Sequence, residues 1–284
     1  MARILAIVVT YNAMPWAKRC FDSLEQSTLR PDVLVVDNCS ADGTVQFIRD
    51  NYPRFSLIVN TENLGFGAAN NIGLQRVADG DYDYAYLLNQ DAWLEKDTLE
   101  RLVAADDGSF GILSPVQVAS SGRLDRNFSK KCRRFMMKSD APVVEVPFVM
   151  AAHWLIGCVA VSSVGGFSPA FNQYGEDDNY IDRLHYRGLK VGVVRDVKAV
   201  HDRSTRKDTR PRRMRLKCIS RVVRICNPAR SFAIQAVLQP LALVGMSLKN
   251  FSLTPIQYIP EFIRRYPEFR SLRQQSRQLK AFLH

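Results

Sequence analysis

An α/β protein, with a mostly parallel sheet flanked by helices, is the expectation from three observations. Short apolar runs at residues 4–9, 33–36, 56–59 and 84–88 have the length and composition of strands. Stretches with helical signals separate them, and repeated βαβ units of this size imply a parallel sheet with right-handed crossovers. Each run closes on polar residues, and open α/β sheets bind ligands outside the carboxyl ends of their strands.

Residues 4–9 form an unbroken run rich in Ile and Val, as a strand covered on both faces requires. Pro15 can open a helix reaching about residue 24, since the first helical N–H needs no partner. After the strand at 33–36, Ser40 and Asp42 offer capping oxygens to a helix over 44–51. The strand at 56–59 leads to a helix over 68–77 and then to the strand at 84–88. The residues closing these strands are Thr10 and Asn12, Asp37 and Asn38, Asn60 and Asn63, and Asn89 and Asp91. Any one of them suits a turn, but four such groups should share one rim. Downstream, Glu176, Asp177 and Asp178 open a predicted helix with Tyr180, Ile181 and Leu184 on its buried face and Gly188 at its end. A strand then runs to His201.

With 284 residues the chain can bury a sizeable core, as one large domain or a domain plus an appendage. The net charge of +11 is uneven: residues 203–224 hold ten Lys or Arg against Asp208 alone. Such a segment either seeks an anionic partner or is a solvated linker. The six cysteines are scattered without a C-x-x-C pair, which argues against a disulfide framework or zinc ligation and for buried thiols in a reducing cytosol. The first residues lack the features of a signal peptide. No Walker A loop is present, and the glycine-rich stretch 63–73 contains G-x-G without G-x-x-G after it, so a dinucleotide site is poorly supported.

Carboxylates at strand ends with a distant imidazole are what a divalent cation and a general base require. Acids in the first turn of a helix are also favoured by the helix dipole alone. The cluster at 176–178 therefore reads as capping in isolation, and as chemistry only together with Asp91.

In that combination the chain resembles the inverting nucleotide-sugar glycosyltransferases of family 2, which have the GT-A fold. The resemblance rests on segments in the family's order: Val9-Thr10-Tyr11-Asn12, the stretch from Val35-Val36-Asp37-Asn38 to Asp42-Gly43-Thr44, the stretch 63–73, Leu87-Leu88-Asn89-Gln90-Asp91, Gly165-Gly166-Phe167, and Tyr174-Gly175-Glu176-Asp177-Asp178-Asn179 with Arg183 and Gly188. It covers about residues 4–201, and the asparagine-rich third segment looks most like the rhamnosyltransferase branch. It implies that Thr10, Asn12 and Asp37 hold the nucleotide, the Asp37 carboxylate accepting from a pyrimidine N3–H, with Asn63, Gly67, Asn70 and Asn89 beside them. Asn89-x-Asp91 would stand in place of the family's D-x-D motif. Asp91 and His201 would hold a divalent cation, Mg²⁺ or Mn²⁺, on the donor diphosphate. Asp177 matches the general base, with Glu176 next to it. Asn179 departs from the family's frequent final Asp, which leaves the roles of Glu176 and Asp178 open. On the acceptor side the candidates are Asp178 and Trp154, whose ring could stack on a sugar or could simply be buried.

The expected organisation is a glycosyltransferase domain over 1–204 and a basic helical extension over 205–284. In that extension residues 231–248 are apolar but interrupted by Gln235, Gln239 and Pro240, so a membrane crossing is not expected. From residue 259 onward, Phe262, Ile263, Tyr266, Phe269 and Leu272 alternate with Arg264, Arg265, Arg270 and Arg273. That pattern suits either an interfacial helix or a tail docked on its own domain or on a second subunit. The expected activity is transfer of a sugar from a dTDP- or UDP-sugar, dTDP-rhamnose being one candidate donor, to a glycan or lipid-linked glycan in surface polysaccharide synthesis. Its place would be the cytoplasm or the inner face of the membrane, with no nucleic acid involved. The alternative is a noncatalytic nucleotide- or RNA-binding protein that uses residues 203–224. A nucleotidyltransferase is disfavoured, because Tyr11-Asn12-Ala13-Met14-Pro15 has neither the glycines nor the basic residue that a triphosphate needs.

Overall fold

The computed structural model describes residues 2–205 and 208–284. Arg206 and Lys207 of the basic segment lie outside them. The first four strands, β1 (Ile4–Thr10), β2 (Asp32–Asp37), β3 (Ser56–Val59) and β4 (Tyr84–Asn89), pair in the order β3-β2-β1-β4, all parallel. Helices α1 (Ala17–Glu25), α2 (Thr44–Asn51) and α3 (Gly65–Ala78) make the crossovers. The side chains of β1 show why its run is unbroken. Leu5 and Ile7 enter a cluster with Leu74 and Val77 of α3, whereas Ile4, Ala6 and Val8 enter another with Phe21 and Leu24 of α1. Both faces are dry, so neither tolerates a polar residue.

Beyond β4 the sheet becomes mixed. The next elements are β5 (Ala92–Leu94), α4 (Thr98–Ala104), β6 (Phe110–Val118), α5 (Arg126–Met136), β7 (Val143–Glu145), β8 (His153–Gly157), α6 (Cys158–Val164), α7 (Glu176–Tyr186) and β9 (Lys190–His201). The sheet continues β4-β8-β6-β9-β5, with β7 also on β9. Strand β8 is antiparallel to β4, setting Leu88 opposite His153, and β5 is antiparallel to β9, setting Ala92 opposite His201. These two pairings bring the end of β9 to the rim formed by the parallel half. Buried His153 fastens the junction. Its Nε2 donates to Val200 O (2.9 Å) and its Nδ1 lies 2.8 Å from Tyr86 Oη, while burial pushes its pKa down to about 3 and keeps the ring neutral.

Helices α8 (Arg210–Cys226), α9 (Phe232–Asn250), α10 (Thr254–Gln257), α11 (Ile259–Arg264) and α12 (Tyr266–Gln275) follow. Phe262 and Phe269 are fully buried with Cys218, Val222 and Ile225 of α8, in a cluster that also takes in Ala170 and Phe171. The arginine-rich segment after residue 259 thus directs its apolar face inward. The chain then returns to the helices that flank the sheet: Lys280 Nζ donates to Ala78 O (2.8 Å) and Gly166 N donates to Ala281 O (2.8 Å). Leu283 packs against the main core.

Candidate functional site

The loops after β1, β2 and β3 are tied into one rim by their own polar residues. Thr10 Oγ1 donates to Asp37 Oδ1 (2.7 Å), and the Asp37 carboxylate also accepts from Ser40 N (2.8 Å) and Ser40 Oγ (2.6 Å). Asn12, at φ 52°, accepts from Ala41 N (2.9 Å) and gives its own N–H to Ser40 Oγ (2.8 Å). Asn60 Nδ2 donates to Asn38 Oδ1 (2.9 Å), and Asn38 Nδ2 to Gly65 O (3.1 Å). The buried Asp37 carboxylate thereby shapes the loop over residues 38–40 and presents no open edge to a base.

Two cavities lie along this rim. One, of about 770 Å³, is lined by Tyr11, Asn38, Asn63, Asn89 and Asp91 together with Arg215 of α8. The other, of about 600 Å³, is lined by Asn89, His201, Glu176, Asp177, Asp178 and Lys131, among others. They share Phe66, Asn89 and Gln173. Asp91 and the acidic cluster, far apart in the sequence, therefore line adjoining cavities.

Asp91 and His201 meet because of the β5–β9 register. Asp202 N donates to Asp91 O (2.7 Å), and His201 Nε2 lies 3.5 Å from Asp91 Oδ1, both side chains being buried. His201 Nδ1 accepts from Arg203 Nε (3.2 Å), so a neutral ring carries its proton on Nε2, toward Asp91. Buried Asn89 Oδ1 has no hydrogen-bond partner among the described residues. The Asp91 carboxylate and the orphaned Asn89 amide oxygen are donors that suit Mg²⁺ or Mn²⁺, whose other positions are commonly filled by water and phosphate. His201 Nε2 would join them only if the ring gave up its Nε2 proton or carried it on Nδ1 in place of the Arg203 hydrogen bond. Among the described residues there is no group of three His, Cys, Asp or Glu that could hold a metal. A cation here would thus rely on oxygens from the substrate.

Glu176, Asp177 and Asp178 form the first turn of α7. Gly175 caps it at φ 89°, where a Cβ would also lie 2.7 Å from Ile219 Cγ2, so only glycine fits. Burial, and then the charge of Asp177, pushes Glu176 up to about 8; burial and then Asp178 push Asp177 up to about 7. Burial also raises Asp178, against the opposing pull of Lys131. Glu176 Oε2 is buried without a hydrogen-bond partner among the described residues, which further disfavours the ionised form. Asp177 is half-buried and lines the second cavity. Asn179 turns inward and accepts from Arg183 Nε (3.2 Å), while Arg183 Nη1 and Nη2 bind Val164 O (2.8 Å) and Gly166 O (2.5 Å). That side chain locks α7 to the loop over 165–167.

Four expectations are corrected. The Asp37 carboxylate, buried and engaged by Thr10 and Ser40, does not accept from a pyrimidine N3–H. Trp154 is fully buried between Phe167 and Tyr180, with its Nε1 donating to Val149 O (3.2 Å), so no sugar can stack on it. Gly67 faces the interior, where a Cβ would sit 2.8 Å from Phe167 Cβ. Asn70 is buried with its Nδ2 on Phe66 O (2.9 Å), within its own helix. Asn63 keeps its place on the cavity wall, its Oδ1 accepting from Gly65 N (2.9 Å). Sequence reasoning missed the cations on the second cavity: Lys130 and Lys131 on α5, Arg203, and Arg212 on α8. The one signal was the density of positive charge at 203–224, which covers Arg203 and Arg212 but not Lys130 and Lys131. It also missed Gln90, whose Oε1 accepts from Tyr11 N (2.7 Å) and joins the β4 loop to the β1 loop.

Comparison with known proteins agrees with this arrangement. Residues 5–152 match the family model described as glycosyl transferase family 2. The chain is 28% identical, over 72% of its length and 78% of the relative's, to an N-acetylglucosaminyl-diphospho-decaprenol L-rhamnosyltransferase of Mycobacterium tuberculosis. The structure superposes on S. aureus TarS 1-349 in complex with UDP at TM-score 0.61 and 17% identity, covering 97% of this chain and 83% of that one. It spans 41% of the longer TarS chain. The mannosyltransferase PcManGT from Pyrobaculum calidifontis, in complex with GDP-Man and Mn²⁺, gives TM-score 0.59 at 18% identity, covering 97% and 84%. The mixed nine-stranded sheet with its flanking helices is thus the GT-A fold, and the chain belongs to glycosyl transferase family 2.

Proposed function

We propose that the protein transfers a sugar from a dTDP- or UDP-sugar to a hydroxyl of a lipid-linked glycan, with inversion at the anomeric carbon, at the cytosolic face of the membrane in the assembly of a surface polysaccharide. The observation that carries this reading is that the two cavities meet at Asn89, with Asp91 lining one of them and His201 lining the other together with the acids of α7. The relative whose name specifies a rhamnosyltransferase acting on a diphospho-decaprenol favours a deoxyhexose donor and a lipid-linked acceptor. In this reading residues 1–204 carry the reaction and residues 205–284 buttress it.

The nucleotide lies in the cavity bordered by Tyr11, Asn38 and Asn63, framed by the loops that Thr10, Asn12 and Asp37 hold in place. Asp91 and His201 would hold a divalent cation, which when bound offsets the negative charge that develops on the departing diphosphate. Asp177 takes the proton from the acceptor hydroxyl as its oxygen attacks the anomeric carbon from the face opposite the diphosphate. A carboxylate whose pKa lies near 7 suits that task, because it is both available and basic enough at neutral pH. Glu176, held protonated beside it, leaves Asp177 as the ionised member of the pair. Asp178, opposite Lys131, holds a second acceptor hydroxyl in this reading.

The test is a donor screen by calorimetry and transfer assay, with Mg²⁺ or Mn²⁺, across dTDP-, UDP- and GDP-sugars. Metal-dependent binding of a pyrimidine nucleotide sugar is expected. Binding unchanged by chelation, or a preference for GDP-sugars, would refute the assignment.

A further inference from the structure

Helix α9 is inside out. Its buried positions are Gln235, Gln239, Leu243 and Ser247, a strict i, i+4 row. Its outer face carries Ile234, Val237, Leu238, Leu241, Val244 and Leu248, between 39% and 70% exposed. The apolar surface continues past the helix through Phe251 (93% exposed), Leu253 and Ile256. The polar row is held by packing: Gln239 Nε2 donates to Gln235 Oε1 (2.7 Å), Arg221 Nη1 to Gln239 Oε1 (3.4 Å), and Ile256 N to Ser247 Oγ (3.1 Å). By length and composition α9 is apolar enough to cross a membrane. Its fastening to α8 and α10 along the polar row instead lays it flat on the protein. A contiguous apolar patch of this kind marks an interaction surface.

Charge decides the partner. Residues 205–284 hold seventeen Lys or Arg against Asp208, Glu261 and Glu268, a balance of +14, which leaves −3 for residues 1–204. Positive groups ring the patch: exposed Arg230 precedes α9 and exposed Lys249 ends it. Arg210 and Lys217 of α8 bind Asn250 O (2.6 Å) and Asn250 Oδ1 (2.9 Å), directly beside Phe251. Two copies joined through this face would bring like charges together, whereas anionic lipid headgroups would neutralise them. We propose that the outer face of α9 and residues 251–256 insert into the interfacial layer of an anionic phospholipid bilayer, with the flanking cations at the headgroups. The surface lies on α9, not on the arginine-rich helices after residue 259, whose largest apolar side chains, Phe262 and Phe269, are fully buried. The inference stands independently of the reaction proposed above.

The test is flotation of the full chain with phosphatidylcholine vesicles, with and without phosphatidylglycerol. The parent is expected to float with the anionic vesicles, less so as salt rises, and a Val237→Asp/Leu241→Asp double variant to lose partitioning by about tenfold or more. Thermal unfolding of that variant should match the parent, since both side chains are exposed. Leu248→Gln/Phe251→Gln repeats the measurement elsewhere on the face. Donor binding should be unchanged in all of them, so a failure here leaves the assignment of the reaction intact. A parent that stays in the soluble fraction with phosphatidylglycerol vesicles overturns the proposal. So do variants that float like the parent, or a parent dimer that the double variant splits while neither binds vesicles.

Discussion

Replacing Asp177 with Asn removes one of three carboxyl groups crowded into the first turn of α7 and keeps its shape. Two effects of opposite sign follow. The folded protein holds the Asp177 proton up to about 7, against an ordinary value of 3.8. Below the ordinary value the folded and unfolded chains are equally protonated there, and the carboxyl costs nothing. As pH rises the unfolded chain ionises first, so the penalty grows until about 7 and is constant beyond. A difference of that size corresponds to about 4 kcal/mol; the half-buried carboxylate keeps part of its hydration, which reduces the figure to about 1–2 kcal/mol. Asp177→Asn should therefore raise the melting temperature at pH 8 by about 2–8 °C and change it far less at pH 4, near the ordinary value, where the penalty has only begun to grow. The same variant should lose about 10²–10⁴-fold in transfer, with donor affinity retained. Its pH–rate profile should lack the rising limb near 7 that the parent shows. Thermal melts at the two pH values and initial rates from pH 5 to 9 (assay conditions chosen at about one-unit intervals) test the whole argument. Transfer at the parental rate, or a persistent limb near 7, would refute Asp177 as the base.

Asp91→Ala should weaken metal-dependent nucleotide binding by about tenfold or more, measured by calorimetry with UDP or dTDP and Mn²⁺; unchanged affinity would remove Asp91 from the metal site. Trp154→Ala should cost about 3–5 kcal/mol in urea unfolding and leave the acceptor KM of the folded fraction unaltered, as a core residue requires. Gly67→Ala should cost about 1–3 kcal/mol, because its Cβ meets Phe167 Cβ at 2.8 Å. Donor affinity should survive that change, and a selective loss of nucleotide binding would restore Gly67 to the ligand site.

The parallel half of the sheet was legible because its signals are local. Each apolar run of residues 4–88 lies next to the helix that covers it, and strand ends in such a sheet fall on one side by topology alone. Thus the rim residues Asn38, Asn63, Asn89 and Asp91 could be grouped before any coordinates. The mixed half was not legible, since β5 has three residues and its partner β9 begins about a hundred positions later. Nothing near Asp91 announces that Ala92 will pair with His201; family resemblance supplied the link that periodicity could not. Trp154 failed for the opposite reason. A strand one residue from the rim can point its side chain to either face, and β8 points this one at Phe167. The outward face of α9 was hidden by composition: Gln235 and Gln239 looked like interruptions of an apolar helix, whereas they form its contact with α8.

The return of the last residues to α3 and α6 has a consequence for synthesis. Ala78 and Ser162 emerge from the ribosome long before Lys280, whose side chain and backbone N–H they bind. Until then the ends of α3 and α6 lack a cover that Ala281 and Leu283 eventually supply. A nascent chain stalled short of that point would expose an unfinished seam to proteases and chaperones, even with its nucleotide-side loops already in place.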